Sequence, residues 1–203
     1  ILAQGGKRVL IIDCDLRRPR GHALFNMSND TGLSTYLTGN CEDIPVLAVA
    51  NEALSIITSG PIPPNPAELL GSSTFEHMLA TLREQFDFIL LDSPPVQHVA
   101  DSLALSKTAD GAIIVVRYGK TTFDMLSGGI KKLTDVDAAI LGFILNSIKI
   151  SDNDAQICLV VDKNKADEVP QEYLHVFDYI VELPFGNTAY KDGFHGMNLW
   201  QLY

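Results

Sequence analysis

Apolar residues in this chain follow two spacings, and each predicts a different element. Short unbroken apolar runs fall at 8–13, 54–58, 87–92, 111–117 and 140–146. Runs of this length predict strands buried on both faces, as in a parallel sheet. Between 74 and 85 the apolar positions are instead Phe75, Met78, Leu79 and Leu82. That spacing predicts an amphipathic helix with one buried face. Further helices are expected from Ala67 to Leu70, from Asp101 to Lys107, and from Thr121 to Thr134, where Gly128 and Gly129 weaken the last. Residues 1–8 predict the last turn of a helix closed by a glycine stop. Additional strands are expected at 157–161 and 179–183, with a surface turn at 151–154 and a charged, exposed stretch between those strands.

Strands thus alternate with helices. This order predicts an α/β fold: a mostly parallel sheet with helices on both faces and right-handed crossovers. The chain has 203 residues, enough for one medium domain, and 1–203 is read as a single domain. No internal repeat or low-complexity segment interrupts it.

Two of the apolar runs end in aspartate: VLIIDCDLRRP (9–19) and FILLDSPP (88–95). A carboxylate just past a strand sits at the strand's C-terminal edge, where open α/β sheets bind ligands. Carboxylates gathered there are costly unless a cation or a proton-transfer partner joins them. The occupant these residues predict is Mg²⁺ with a nucleoside triphosphate, since Mg²⁺ takes one or two carboxylates plus water and phosphate oxygens. Asp13 and Asp15 are two residues apart, so persisting strand geometry would aim both the same way. One would then hold a metal-bound water while the other accepts a proton from an attacking hydroxyl. Arg17 and Arg18 follow, suited to pairing with phosphate or with these carboxylates. The plainer alternative is an arginine–aspartate pair that only fixes a loop. Asp92 is read as a direct or water-mediated Mg²⁺ ligand, or else as a turn aspartate; Pro94 and Pro95 stop its strand. Asn146, at the end of AILGFILN, either reads a base edge through its amide or forms a turn.

Composition narrows the field. Net charge is −10, which argues against a non-specific nucleic-acid binder. The three cysteines (Cys14, Cys41, Cys158) lack metal-ligand spacing, which fits a reducing, cytoplasmic compartment. No apolar run reaches the roughly 18 to 20 residues of a membrane span. The histidines His22, His77, His98, His175 and His195 show no HExxH spacing, and no serine lies in GxSxG. AQGGKR (3–8) is not a phosphate loop, so Lys7 is not given that role.

Taken together, these blocks resemble the bacterial tyrosine kinases of capsule and exopolysaccharide synthesis. VLIIDCDLRRP is similar to their Walker A′ motif and FILLDSPP to their Walker B motif. The intervening GPIPPNPAELLGSSTFEHMLATLREQFD, with its G-x-x-P-x-N-P-x-E-L-L pattern, is similar too, and the likeness runs from about residue 3 to 147. The resemblance implies a P-loop NTPase-like three-layer sandwich of the deviant-Walker type. It implies ATP and Mg²⁺ as cofactors. Asp13 and Asp15 match the A′ carboxylates that bind metal and activate the tyrosine hydroxyl. Arg17 matches the A′ arginine, Asp92 the Walker B aspartate near Mg²⁺, and Asn146 the asparagine near adenine. It further implies tyrosine-containing protein substrates, autophosphorylation between neighbouring subunits of a homo-oligomer, and a membrane-bound activator or polysaccharide co-polymerase. Through that activator the protein is expected at the inner face of the plasma membrane.

Three departures shape the expectation. The family's Walker A motif is not within 1–203; in relatives it lies upstream of the segment ILAQGGKR, so the domain is expected to be N-terminally incomplete, short of an interior strand. Tyr173, Tyr179, Tyr190 and Tyr203 are scattered rather than clustered, and the family's N-terminal assembly helix is not seen. YIVELPFGN (179–187) is more similar to the ends of partitioning ATPases. The alternatives are therefore a partitioning-type or polysaccharide-assembly ATPase without tyrosine transfer, or a non-catalytic relative.

Overall fold

A computed structural model describes residues 2–49, 53–96, 100–149 and 156–160. The chain divides into two compact units, Ile1–Ala109 and a second that begins at Asp110.

In the first unit, residues 2–6 form a turn that closes as the sequence predicts. Lys7 N–H donates to the Leu2 carbonyl (3.2 Å) and Gly6 N–H to the Ala3 carbonyl (3.0 Å), with Gly6 at φ +79°. This is the paired closure of a helix end around a left-handed glycine. Strand β1 (Val9–Asp13) follows. Two short helices, α1 (Gly21–Leu24) and α2 (Leu33–Leu37), and a two-residue strand, β2 (Leu47–Ala48), precede β3 (Leu54–Ile57). None of those three short elements is predicted, because two to five residues are too few to establish a period. Helices α3 (Pro66–Leu70) and α4 (Ser73–Arg83), strand β4 (Phe88–Asp92) and helix α5 (Asp101–Thr108) complete the unit.

The sheet order is β2-β3-β1-β4. β1 pairs in parallel with β3 and with β4, while β2 runs antiparallel to β3. Helix α4 begins where Ser72 accepts the Phe75 N–H (3.3 Å) and buries its apolar stripe of Phe75, Met78, Leu79 and Leu82. That stripe meets Leu10 and Ile12 of β1 in one core cluster with Leu16, Leu33 and Leu70. Each such side chain contributes roughly 1.5–3 kcal/mol on burial.

The second unit contains β5 (Ala112–Arg117), α6 (Phe123–Thr134), β6 (Ile140–Lys149) and β7 (Gln156–Val160). β5 and β6 pair in parallel and β7 runs antiparallel to β6. Thr122 accepts the Met125 N–H and starts α6, which continues through Gly128 and Gly129 to bury Leu126 and Leu133.

The α/β class stands, with a mixed arrangement of strands and helices. Two details differ from the sequence expectation. Among the described residues the strands form a four-stranded sheet in the first unit and a three-stranded sheet in the second, where one sheet is expected. And only β1 and β3, each lying between two neighbours in the first sheet, are nearly buried throughout. β4 is the last strand in the order of the first sheet and β5 the first in that of the second, and Leu90 and Ile113 on them are exposed. An apolar run does not distinguish an interior strand from an edge strand. The expected elements at 151–154 and 179–183, the charged stretch before the latter, and the four scattered tyrosines lie outside the described residues.

Candidate active site

Parallel pairing of β1 with β4 puts Asp13 opposite Asp92 at the C-terminal end of both strands. Residues paired across neighbouring parallel strands share a face and lie about 5 Å apart along the sheet. The register continues past the strands, where Cys14 N–H donates to the Asp92 carbonyl (2.8 Å). Two carboxylates therefore stand side by side at the sheet's carboxyl rim.

Their surroundings differ. Asp13 is 1% exposed, yet it is well supplied with donors. Oδ2 accepts the amides of Gly21 (2.7 Å) and Arg20 (3.1 Å), and Oδ1 accepts the Asp15 amide (3.2 Å). The loop from Cys14 to Arg20 thus folds back onto the carboxylate that begins it. This return needs a glycine: a Cβ at Gly21 would stand 2.9 Å from Asp13 Oδ2. Burial raises the Asp13 carboxyl above its ordinary value, the three amides oppose this, and Asp15 adds to the rise.

Asp92 lacks that support. Its Oδ1 is cut off from solvent and has no hydrogen-bond partner among the described residues. Burial, followed by the charges of Asp13 and Asp15, pushes its carboxyl up to about 7. An orphaned carboxylate oxygen beside a second carboxylate is what a bound cation would relieve. Among the described residues, no group of three or more His, Cys, Asp or Glu side chains forms a ready cage. The donor set is thus one or two carboxylate oxygens, which fits Mg²⁺ completed by water and phosphate oxygens and does not fit Zn²⁺.

Asp15 departs from the expected geometry. β1 ends at Asp13, so the alternation of the strand does not carry on to Asp15. Its Oδ1 instead accepts the amides of Arg18 (3.0 Å) and Arg17 (3.2 Å), a local turn that leaves the residue half-buried. Arg17 also departs from it. Its guanidinium does not turn to Asp13 or Asp15 but grips Asp101 with two bonds, Nε to Oδ2 (2.7 Å) and Nη2 to Oδ1 (3.1 Å). The Asp101 side chain is fully buried, and its proximity raises the Arg17 guanidinium further. Next to it, Ser102 Oγ donates to the Pro94 carbonyl in the loop after Asp92. Neither Asp101 nor Ser102 is singled out by the sequence, because their partners are remote along the chain or are backbone atoms.

The third strand end at this rim is that of β3, since Ile12 pairs with Ile57. Thr58 and Ser59 beyond it are fully buried, with Thr58 Oγ1 donating to the Thr31 carbonyl and Asn29 bracketing Gly60. They form a wall rather than a reactive group. Further on, Asn65 Nδ2 donates to Glu68 Oε2 (2.7 Å) across the start of α3.

Asn146 lies in the second unit on β6, opposite Arg117 of β5, and is 3% exposed. Its Oδ1 accepts the Ser147 amide (2.7 Å), and Ser147 takes a left-handed φ of +66°. Asn146 therefore does not end its strand, which runs on to Lys149; its bond to the Ser147 amide falls at the register shift between Leu145 and Ile148.

Aspartates at the carboxyl ends of neighbouring parallel strands, in a helix-covered sheet, fit a P-loop NTPase-like class of protein. The family AAA_31, described as an AAA domain, matches residues 1–150. The chain is 38% identical over 152 residues to the tyrosine-protein kinase YwqD of Bacillus subtilis, covering 74% of this chain and 64% of that protein. It is 34% identical over 154 residues to the putative tyrosine-protein kinase CapB of Staphylococcus aureus, covering 74% and 67% respectively. The solved kinase domain of Escherichia coli tyrosine kinase ETK superposes with a TM-score of 0.71 at 32% identity, over 76% of this chain and 61% of that one. The chain belongs to this AAA-domain family and, within it, to the bacterial tyrosine-protein kinases. It spans less than two thirds of the B. subtilis relative.

Proposed function

We propose that this chain is the catalytic part of a Mg²⁺-dependent, ATP-using protein-tyrosine kinase that phosphorylates itself and serves capsule or exopolysaccharide synthesis. The observation that carries the reading is the in-register Asp13–Asp92 pair, with Asp92 Oδ1 buried and unpartnered. In this reading Asp92 and Asp13 hold the cation, which supplies positive charge against the triphosphate. Asp13 is already fixed by three amides, so it orients without moving. Asp15, nearer to solvent, accepts the proton of the incoming tyrosine hydroxyl. Arg17, held by Asp101 through Nε and Nη2, offers the rest of its guanidinium to phosphate, and Asn146 keeps the adenine role that the family resemblance gives it. The matching family spans residues 1–150, on both sides of Asp110, which supports treating that stretch as belonging to one catalytic domain.

Substrates in this reading are tyrosine-containing proteins, including a second copy in a homo-oligomer. The activator is a membrane-bound polysaccharide co-polymerase that holds the protein at the inner face of the membrane. Among the described residues no helix is long and apolar enough to cross a membrane.

Transfer of label from [γ-³²P]ATP to tyrosine in the full-length protein tests the reading. Asp15→Asn and Asp92→Asn are each expected to slow transfer by roughly 10²- to 10³-fold. Undiminished phosphotyrosine in both variants would refute the assignment. A second reading, an ATPase without tyrosine transfer, draws on the likeness of YIVELPFGN (179–187) to the ends of partitioning ATPases and on the scattered placement of Tyr173, Tyr179, Tyr190 and Tyr203. The same assay separates it, as phosphate release without phosphotyrosine.

A further inference from the structure

We infer that the first turn of α5 is the device that sets the two carboxylate-bearing loops, and that Asp101 is a positioning residue acting through Arg17. The inference rests on the kinase reading for its functional consequence, but the tether itself does not.

Three contacts carry it. Asp101, the first residue of α5, has a fully buried side chain, and both its oxygens are taken by Arg17. A buried carboxylate is stable only when its charge and lone pairs are met, so Arg17 is held firmly. Arg17 in turn donates its own amide to Asp15 Oδ1, so the guanidinium grip is transmitted to the acidic loop. The adjoining Ser102, 6% exposed, ties the Pro94 carbonyl two residues beyond Asp92. One helix end thereby holds the loop after β1 and the loop after β4, whose strands carry Asp13 and Asp92. Arg17 itself is about half exposed, 45% by side chain, so the grip fixes it without removing it from the rim. A planar fork is needed for this, which lysine does not supply.

The position of Asp101 separates this role from that of an ordinary acidic residue at a helix start. Such a residue faces the amides of its own first turn. Asp101 instead spends both oxygens on a side chain 84 positions earlier in the sequence.

Asp101→Asn, Arg17→Lys, Arg17→Ala and the Asp101→Asn/Arg17→Ala double variant, all in the full-length protein, test the inference. Asp101→Asn is expected to lower kcat for tyrosine transfer by roughly 10- to 100-fold, because small misplacements near a reacting group cost that much. The KM for ATP should change far less. In the double variant, Asp101→Asn should add nothing to the loss from Arg17→Ala, the signature of two residues working as one unit. Arg17→Lys, which keeps the charge and loses the fork, should fall between. Additive losses, or an unchanged kcat in Asp101→Asn, would overturn the positioning role.

Trypsin supplies the readout that does not need kinase activity. The loop offers cleavage after Arg17 and after Arg20. Asp101→Asn and Arg17→Lys, the latter keeping a basic residue that trypsin accepts, should speed cleavage at these two places relative to cleavage after Arg83. Cleavage at an unchanged relative rate would overturn the tether. If the unaltered protein transfers no phosphate to tyrosine while Asp101→Asn still loosens the loop, the tether stands and the kinase reading fails.

Discussion

Asp13 and Asp92 occupy the same register position on neighbouring parallel strands, yet one is met by three backbone amides and the other has an oxygen with no partner among the described residues. Equal placement with unequal solvation divides the work between them. Asp13 is a fixed element of the loop, and Asp92 is the group whose charge awaits a counter-charge.

That asymmetry predicts a pH dependence of stability. The Asp92 carboxyl is pushed up to about 7, chiefly by burial. In the unfolded chain an aspartate releases its proton near pH 3.9. Between about pH 4 and 7 the folded chain holds a proton the unfolded chain has lost, so this contribution to stability is full below about pH 4 and is lost as pH rises through about 7. At about 1.4 kcal/mol per pH unit the whole contribution is on the order of 4 kcal/mol. Asp13, also raised by burial, acts in the same direction. Asp92→Asn should therefore be more stable than the parent at pH 8 without divalent cations, and the difference should close near pH 4. Thermal unfolding across that range in chelator decides it; a gap that does not change with pH would contradict the buried, unpartnered carboxylate.

Gly21 makes the Asp13 anchor possible. Since a Cβ there would press on Oδ2 at 2.9 Å, Gly21→Ala should displace the carboxylate and loosen the amide bonds around it. The expected cost is roughly 1–3 kcal/mol. Urea unfolding measures it, and a midpoint equal to that of the parent would show that the loop tolerates a side chain.

The wall behind the rim is tighter still. A Cβ on Gly32 would collide with backbone, the Gly60 nitrogen and the Thr58 carbonyl. Gly39, by contrast, has φ +75° but open space around it. Gly39→Ala should cost about 1 kcal/mol through backbone strain alone, and Gly32→Ala considerably more. Comparable midpoints for the two in denaturant titration would rule out the close approach of residues 32 and 60.

Cys14 sits between two acidic residues but faces the core, with no exposed surface. Burial first, then Asp13 and Asp92, push its thiol well above the ordinary range. Only the thiolate reacts. Iodoacetamide labelling of the folded protein, read by peptide mass spectrometry, should modify Cys41 and leave Cys14 untouched until denaturant is added. Rapid labelling of Cys14 in the native protein would mean that the A′ loop opens readily.

Much of this architecture can be read along the chain. The run VLIID ends at the residue where β1 ends, and FILLD at the residue where β4 ends. Phe75, Met78, Leu79 and Leu82 are the buried face of α4. These features are local: a period of apolar residues and a capping serine act within a few positions. The short elements α1, α2 and β2 escape because they carry no period, and they are held by contacts such as Leu33 N–H to the Thr58 carbonyl. Asp101 escapes for a related reason, since nothing beside it in the sequence points to Arg17.

The sequence alone determined that acidic residues would stand at the carboxyl ends of two strands, because strand length and the position of the first polar residue are properties of a single segment. Only the tertiary structure decided what each carboxylate became. The return of Gly21 onto Asp13, the isolation of Asp92 Oδ1, the grip of Asp101 on Arg17 and the place of β4 beside β1 all depend on which distant segments come to lie against a group. Desolvation and hydrogen bonding are set by those neighbours, and a linear pattern does not contain them.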